Sequence, residues 1–265
     1  MFVRRLIFLV ITVVLPVLLA AQNATRTPKR DAPAIEILTR TVISAGGLHP
    51  LSAVRDMTES GEITVYWGEN VKGPVIIRTQ GASRFRMEAD LPQGKLTWIV
   101  KDGVGSKKES DKITPLSREN AINLGNLTYP VGHLAAALAD PGTEVTFVGI
   151  EKKKGRSVYR LRLKGKLGLV SNRLPASVVK DVIVDALSFD ILSIEDHPYP
   201  TCKIGGTPTD TAPREIEYTD FRMVDGVKVP FSIDTKFHGQ RTLSVSVNDV
   251  TFNTHVPAED FQLPK

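Results

Sequence analysis

The sequence predicts a mainly β (α+β) chain: an antiparallel sheet of about ten to twelve strands, strongly curled toward a barrel, with two or three helices covering its concave side. Three observations carry this. Short segments alternate apolar and polar residues between turn residues, helical spacing occurs in two places rather than between every pair of strands, and Arg214–Val250 reads as three consecutive strands. In that last stretch Ile216 and Tyr218, then Val227, Val229, Phe231 and Ile233, then Leu243, Val245 and Val247 fall on one face. Asp225-Gly226 tolerates the positive φ angles of a tight hairpin, and His238-Gly239-Gln240 makes the next turn. A sheet with one apolar and one wet face must cover the apolar one, and a sheet of this many strands twists enough to curl around whatever covers it.

In chain order, Met1–Ala21 has the three regions of a secretory signal peptide: Arg4 and Arg5, an apolar run from Leu6 to Leu19, then Ala20-Ala21. The run is short for a membrane span, so cleavage after Ala21 is expected, with an uncleaved anchor as the alternative. Residues 22–33 read as a flexible segment and 34–265 as a single domain. A helix begins at Ala34, because Ile35, Leu38, Val42 and Ala45 share one face, Pro33 suits its first turn and Gly46-Gly47 its end. Strands follow around Ile63–Trp67, Val75–Ile77 after the Gly73-Pro74 break, Phe85–Met87 and Leu96–Val100, with Asp102-Gly103 as a further hairpin signal. The alternation stops between Lys112 and Pro141, where a short helix around Arg118–Leu124 and a clearer one opened by Pro130, with Val131, Leu134, Ala135 and Leu138 facing one way, are expected. Strands resume at Val145–Phe147, Tyr159–Leu163, Val182–Val184 and, through Asp185-Ala186, at Phe189–Ser193. His197–Pro213 is a loop holding Cys202, and Val256–Lys265 an irregular tail with Phe261 and Leu263 against the sheet edge.

Composition narrows the function classes. Of the residues, 42% are hydrophobic and 24% charged, which suits a folded domain with a sizeable core. Removing Arg4 and Arg5 takes the formal charge from +5 to +3, which does not argue for nucleic acid. The basic run Lys152-Lys153-Lys154-Gly155-Arg156 reads as a solvated turn before it reads as an anionic-lipid contact. The lone Cys202 has no internal disulfide partner. His49, His133, His197, His238 and His255 have no metal-ligand spacing, no serine stands in a Gly-x-Ser-x-Gly turn, and Gly103-Val104-Gly105 lacks the third glycine of a nucleotide loop. No catalytic residue, metal, cofactor or nucleotide is therefore assigned, and an enzyme is the least favoured class. The candidate ligand-binding set is an apolar stripe of Trp67, Phe85, Trp98, Phe147, Tyr159, Phe189, Phe231 and Leu243, which line a cavity if the helices leave the concave side unfilled.

The signal peptide, the early helix ending in Gly46-Gly47, and the segments VVKDVIVDALSFDILSIED (Val178–Asp196), YTDFRMVDGVKVPFSIDT (Tyr218–Thr235) and VNDVTFNTHVPAEDFQLP (Val247–Pro264) together resemble the outer-membrane lipoprotein-sorting, LolA-like family. The resemblance is strongest over Ser157–Pro264, with Asp185 before its turn, the Tyr218–Phe231 hairpin and Phe261 and Pro264 at the close. It implies an incomplete antiparallel barrel, its mouth covered by helices, enclosing an apolar cavity for acyl chains. The expected function is a periplasmic lipid or lipoprotein carrier or chaperone, with lipid acyl chains or lipoproteins as partners. The alternative is an envelope regulatory or sensing module of the same fold that holds a protein partner.

Overall fold

The computed structural model describes residues 27–66, 68–81, 83–116, 120, 121, 124, 129–166, 177–196 and 213–264. Helices α1 (Ala32–Ser44) and α2 (Leu48–Ala53) lead into β1 (Asp56–Val65), β2 (Val71–Gln80), β3 (Arg84–Leu91), β4 (Gly94–Lys101), β5 (Val104–Glu109) and β6 (Lys112–Pro115). After α3 (Pro130–Ala139) come β7 (Glu144–Lys153), β8 (Arg156–Lys166), β9 (Ser177–Asp185), β10 (Ile191–Asp196), β11 (Arg214–Val224), β12 (Val227–Phe237) and β13 (Gln240–Phe252). All thirteen strands form one antiparallel sheet in the order β6-β5-β4-β3-β2-β1-β13-β12-β11-β10-β9-β8-β7. Two meanders are thus sewn together in the middle, where β1 pairs with β13, and the outer strands β6 and β7 do not pair with each other. The sheet is an unclosed barrel, and the chain between its free edges carries α3.

The inward face is set by strict alternation. Met57 and Ile63, Ile77, Phe85 and Met87, Leu161, Val182 and Val184, Ile216 and Tyr218, Val229 and Ile233 are all buried, and they join one core cluster with Ala34, Leu38 and Val42 of α1 and with Val131 and Leu134 of α3. Register keeps the rows aligned across strands: Ile77 faces Met87, Phe85 faces Val100, and Ile233 faces Tyr218 on one side and Val245 on the other. The outward face is ionic. Arg160 reaches Glu151, Asp181 and Glu195, while the basic run at the β7–β8 turn folds its lysines back onto Glu195, Glu215 and Glu217.

β5 follows the Asp102-Gly103 hairpin signal without a pattern of its own, β6 is a strand that the lapse in alternation hid, and β2 runs through Gly73-Pro74 instead of starting after it. Pro74 is tolerated because that half of β2 pairs with β1 alone, so its missing N–H leaves no ladder bond unmade on the β3 side. The tail does not lie at a sheet edge. Its 3-10 turn, Ala258–Phe261, packs on the outer face of β3 and β4 with Phe261 fully buried. Arg86 donates to the Asp260 carbonyl at 2.7 Å, Arg78 lies 3.5 Å from the Asp260 carboxylate, and Glu88 holds both arginines, at 3.0 Å from Arg78 and 2.9 Å from Arg86. The start of the domain is tied down as well. Asp31 N–H donates to Val145 and Val145 N–H to Lys29, each at 2.9 Å, so the last residues of the segment read as a flexible leader lie along the edge of β7.

At the far end of α1 the chain meets the β11–β12 hairpin. Asp225 and Gly226 have φ of 46° and 79°, the left-handed pair that a two-residue hairpin needs. Gly46, at φ 118°, lets the helix end come so close that an added Cβ would lie 2.1 Å from the Gly226 carbonyl oxygen. Replacing Gly46 with alanine should therefore lower stability by roughly 2–4 kcal/mol in urea unfolding, from left-handed strain plus a forced separation. Gly47→Ala, whose Cβ would meet nothing within 4 Å, should cost only the strain of φ 86° and ψ 172°, about 1–3 kcal/mol. Equal midpoints for the two variants would contradict the contact. A second expectation concerns acid. The Arg86 guanidinium, opposed by burial and helped by Lys95, holds the Glu88 carboxyl at about 2. A carboxyl held below its unfolded value contributes stability above that value and loses it as pH falls toward the folded one. The stability difference between the protein and Glu88→Gln should be full above about pH 5 and vanish near pH 2; a pH-independent difference would refute the clamp.

Candidate functional site

α3 begins at Pro130, which pre-sets the first helical φ, and lies across the open side of the sheet with Val131 and Leu134 buried. Its C-terminal carbonyls have a dedicated partner. The Arg30 guanidinium donates to the carbonyls of Ala137 (3.2 Å), Leu138 (2.8 Å), Asp140 (2.6 Å) and Thr143 (3.0 Å). One cation thereby satisfies acceptors that a helix end leaves open. The Asp140 carboxylate closes the same turn by accepting from Gly142 N–H at 2.8 Å and from the Thr143 hydroxyl at 2.6 Å, and these donors lower its pKa. Since Arg30 also sits on β7, it fastens the helix to one free edge of the sheet.

Beneath α3 the interior is not filled. A cavity of about 340 Å³ opens between the helix and the ends of β2–β5; its apolar walls include Leu51, Val54, Phe85, Val100 and Ala135. A second, of about 220 Å³, lies toward β8–β10 and includes Leu134, Leu163 and Ile194. His133, Ala136 and Lys180 border both. The larger cavity is rimmed by basic side chains, Arg55, Arg84 and Lys180, with Asp56 the acidic one.

Lys180 belongs to a polar row on the inward face. It stands opposite Leu163 on β8 and Asp196 on β10, and Asp196 stands opposite Arg214 on β11. Arg214 holds Asp196 in a bidentate pair, Nε to Oδ1 at 2.8 Å, with their side chains 8% and 1% exposed. Burial pushes the Lys180 ammonium down to about 8, with Asp196 working against that shift and Arg214 adding to it. Burial likewise raises the Tyr129 and Tyr218 phenols.

The stripe named from sequence is distributed. Phe85 lines the larger cavity, whereas Trp98, Phe231 and Leu243 lie in or against the packed core. Phe147, Tyr159 and Phe189 form a ring series with centroids 6.3 and 6.1 Å apart, and Arg40 lies 5.4 Å over Phe189. Trp67 and Cys202 lie outside the described residues. Sequence reasoning passed over Arg30, Arg84 and Lys180. For Lys180 a signal existed, because it occupies the inward parity of a strand whose Val182 and Val184 are core, as Asp196 and Arg214 do beside Ile194 and Ile216. Among the described residues no group of three or more His, Cys, Asp or Glu is placed to hold a metal, and no helix is long and apolar enough to cross a membrane.

No family model and no curated protein matches the chain. Solved structures do. A domain described as an outer membrane lipoprotein-sorting protein, from Vibrio parahaemolyticus, superposes with a TM-score of 0.51 at 11% identity, over 86% of this chain and 96% of that one. A LolA superfamily protein from Nitrosomonas europaea gives 0.53 at 12%, over 87% and 97%. A DUF1329 family protein from Desulfovibrio piger gives 0.50 at 10%, over 87% and 97%. Superposition over 96–97% of those structures gives this chain the LolA-like fold.

Proposed function

We propose that the protein binds acyl chains beneath α3 and shelters them in the periplasm, as a carrier or chaperone for lipids or lipoproteins. The observation that carries this reading is the apolar cavity left between α3 and the sheet, closed by a helix that one arginine fastens at its end. Volume sets the mode of loading. About 340 Å³ is at the low end of the roughly 300–1,000 Å³ usual for small-molecule sites, so a long chain enters by lifting α3 rather than by filling an existing tunnel. Burial of each methylene contributes about 0.8 kcal/mol, so a chain of a dozen carbons binds without any specific polar contact. Exchange then follows relative apolar burial and needs neither nucleotide nor metal. The likeness in fold to a domain described as lipoprotein-sorting supports the same reading.

The sensing alternative draws on the edge of the sheet. β7 exposes Val148 and Ile150, which are 46% and 67% accessible, on the outer edge of the sheet beyond Phe147, whose N–H donates to the Asp31 carboxylate at 3.2 Å, and a partner segment could add there as a strand. Export by the segment 1–21 belongs to either reading.

Native mass spectrometry of protein purified from the periplasm should find it carrying lipid, and a fluorescent fatty acid should bind after delipidation; a lipid-free chain that binds none overturns the proposal. Arg30→Ala should raise amide exchange over residues 130–139 and speed release of the fluorescent fatty acid by about tenfold or more, the equivalent of one charge-assisted bond. Unchanged exchange and release would show that Arg30 is no latch. Crosslinking from β7 separates the alternative: a stoichiometric membrane-bound partner favours sensing, transient lipoprotein cargo favours carriage.

A further inference from the structure

An apolar cavity by itself is indifferent to the head of its ligand, but this one has a charged rim. Three permanent or near-permanent cations, Arg55, Arg84 and Lys180, border the larger cavity against one carboxylate, Asp56, and His133 stands between the two cavities. Asp56 is itself buried and accepts from the Thr254 hydroxyl at 3.1 Å, so the acid is turned to its own strand end. The arginines make the asymmetry plain. Twelve arginines lie among the described residues, and Arg40, Arg78, Arg86, Arg156, Arg160, Arg162, Arg214, Arg222 and Arg241 each pair with a carboxylate. The three that pair with none among those residues are Arg30, which caps α3, and Arg55 and Arg84, which both edge the cavity. Arg84 gives one donor to the Gln80 side-chain oxygen, which leaves most of its planar fork for another acceptor.

We infer that the cavity takes an anionic amphiphile, its tail against Phe85, Val100 and Leu51 and its carboxylate or phosphate head at the rim between Arg84 and Lys180. The assignment rests on the acyl-binding reading above and adds the sign of the head group. Physically, an arginine fork matches carboxylate and phosphate oxygens bidentately, and a lysine in a partly dry wall gains more from an incoming anion than one in water.

The test uses four probes with one twelve-carbon tail, dodecanoate, dodecyl phosphate, dodecanol and dodecyltrimethylammonium, titrated calorimetrically into the delipidated full chain below their aggregation concentrations. At least one anionic probe should bind about tenfold or more tighter than dodecanol, the gain expected of a charge-assisted contact, and the cationic probe should bind most weakly. Preference for dodecanoate points to free fatty acid as the source and preference for dodecyl phosphate to a phosphate-headed lipid. Lys180→Met and Arg84→Met should each bring the ratio of anion to dodecanol affinity toward one; Arg84→Met serves alone where Lys180→Met does not fold. Equal affinity for anion and alcohol overturns the head-group assignment and leaves the acyl site standing. Binding of the cationic probe as tight as the anions also overturns it. Failure of all four to bind removes both readings together.

Discussion

The structure depends on a constraint of connectivity: the two outermost strands of a thirteen-stranded meander do not meet. Because β1 and β13 close the centre, the chain finishes its first meander at β6 on one free edge and must begin its second at β7 on the other. The passage between them crosses the open side of the sheet, so α3 is delivered to the mouth by topology before any side chain is considered. Closure through β6–β7 ladder bonds would have removed both the edges and the need for a covering helix. Unclosed, the sheet has an inner face to which α1 and α3 offer one apolar stripe each, and the space they leave is the candidate site.

Against that face the polar row of Lys180, Asp196 and Arg214 stands out. Taking charges from water costs several kcal/mol per ion, and replacing a buried pair with apolar residues of similar volume is often neutral or stabilising. Stability alone therefore gives no reason for three ionisable groups to occupy inward positions on neighbouring strands β9, β10 and β11. Position does give one. The row starts at the wall both cavities share, with Lys180, and continues across the neighbouring strands through Asp196 to Arg214, so that charge is placed beside the open volume. The outer surface is charged in a different way: Arg160 and Arg162 share Glu151, Asp181 and Glu195 in a half-buried lattice in which each cation has a carboxylate partner.

How much of this the sequence disclosed follows from where each residue's constraint comes from. Local constraints were legible. The alternation of Ile216 to Tyr218 and Val227 to Ile233, the Asp225-Gly226 turn, and the stripe of α1 between Pro33 and Gly46 each need only a few neighbouring residues, and strands and helix lie where they were expected. β5 and β6 were not, because a strand at the rim has little to bury: Lys107, Lys108 and Glu109 dilute the period, and Ile113 is 40% exposed. The cavity was legible as a consequence of curl and not as a residue list. Which of Phe85, Trp98 and Phe231 reaches empty space depends on where α3 settles, a distance no periodicity encodes. Arg30 was the least readable of all. Its role is fixed by four carbonyls more than a hundred residues away, and nothing in Lys29-Arg30-Asp31 announces them.

On the acyl-binding reading proposed above, α3 has to yield as well as close, and the energetics of its contacts bear on that. Ten residues are too few for a helix to persist alone in water, so α3 exists through what it packs on. Among its buried residues Val131 and Leu134 contribute about 1.5–3 kcal/mol each, and the Arg30 bonds add about as much again, which gives roughly 6–12 kcal/mol holding it down. A dozen methylenes brought into the same interior contribute about 10 kcal/mol. The two quantities are of one size, so an acyl chain can take the place of the helix's own contacts with little net change in free energy. On the carrier reading proposed above, the helix would return when the chain finds a deeper apolar surface elsewhere, so that the acceptor's burial and not an energy source on this protein would decide transfer.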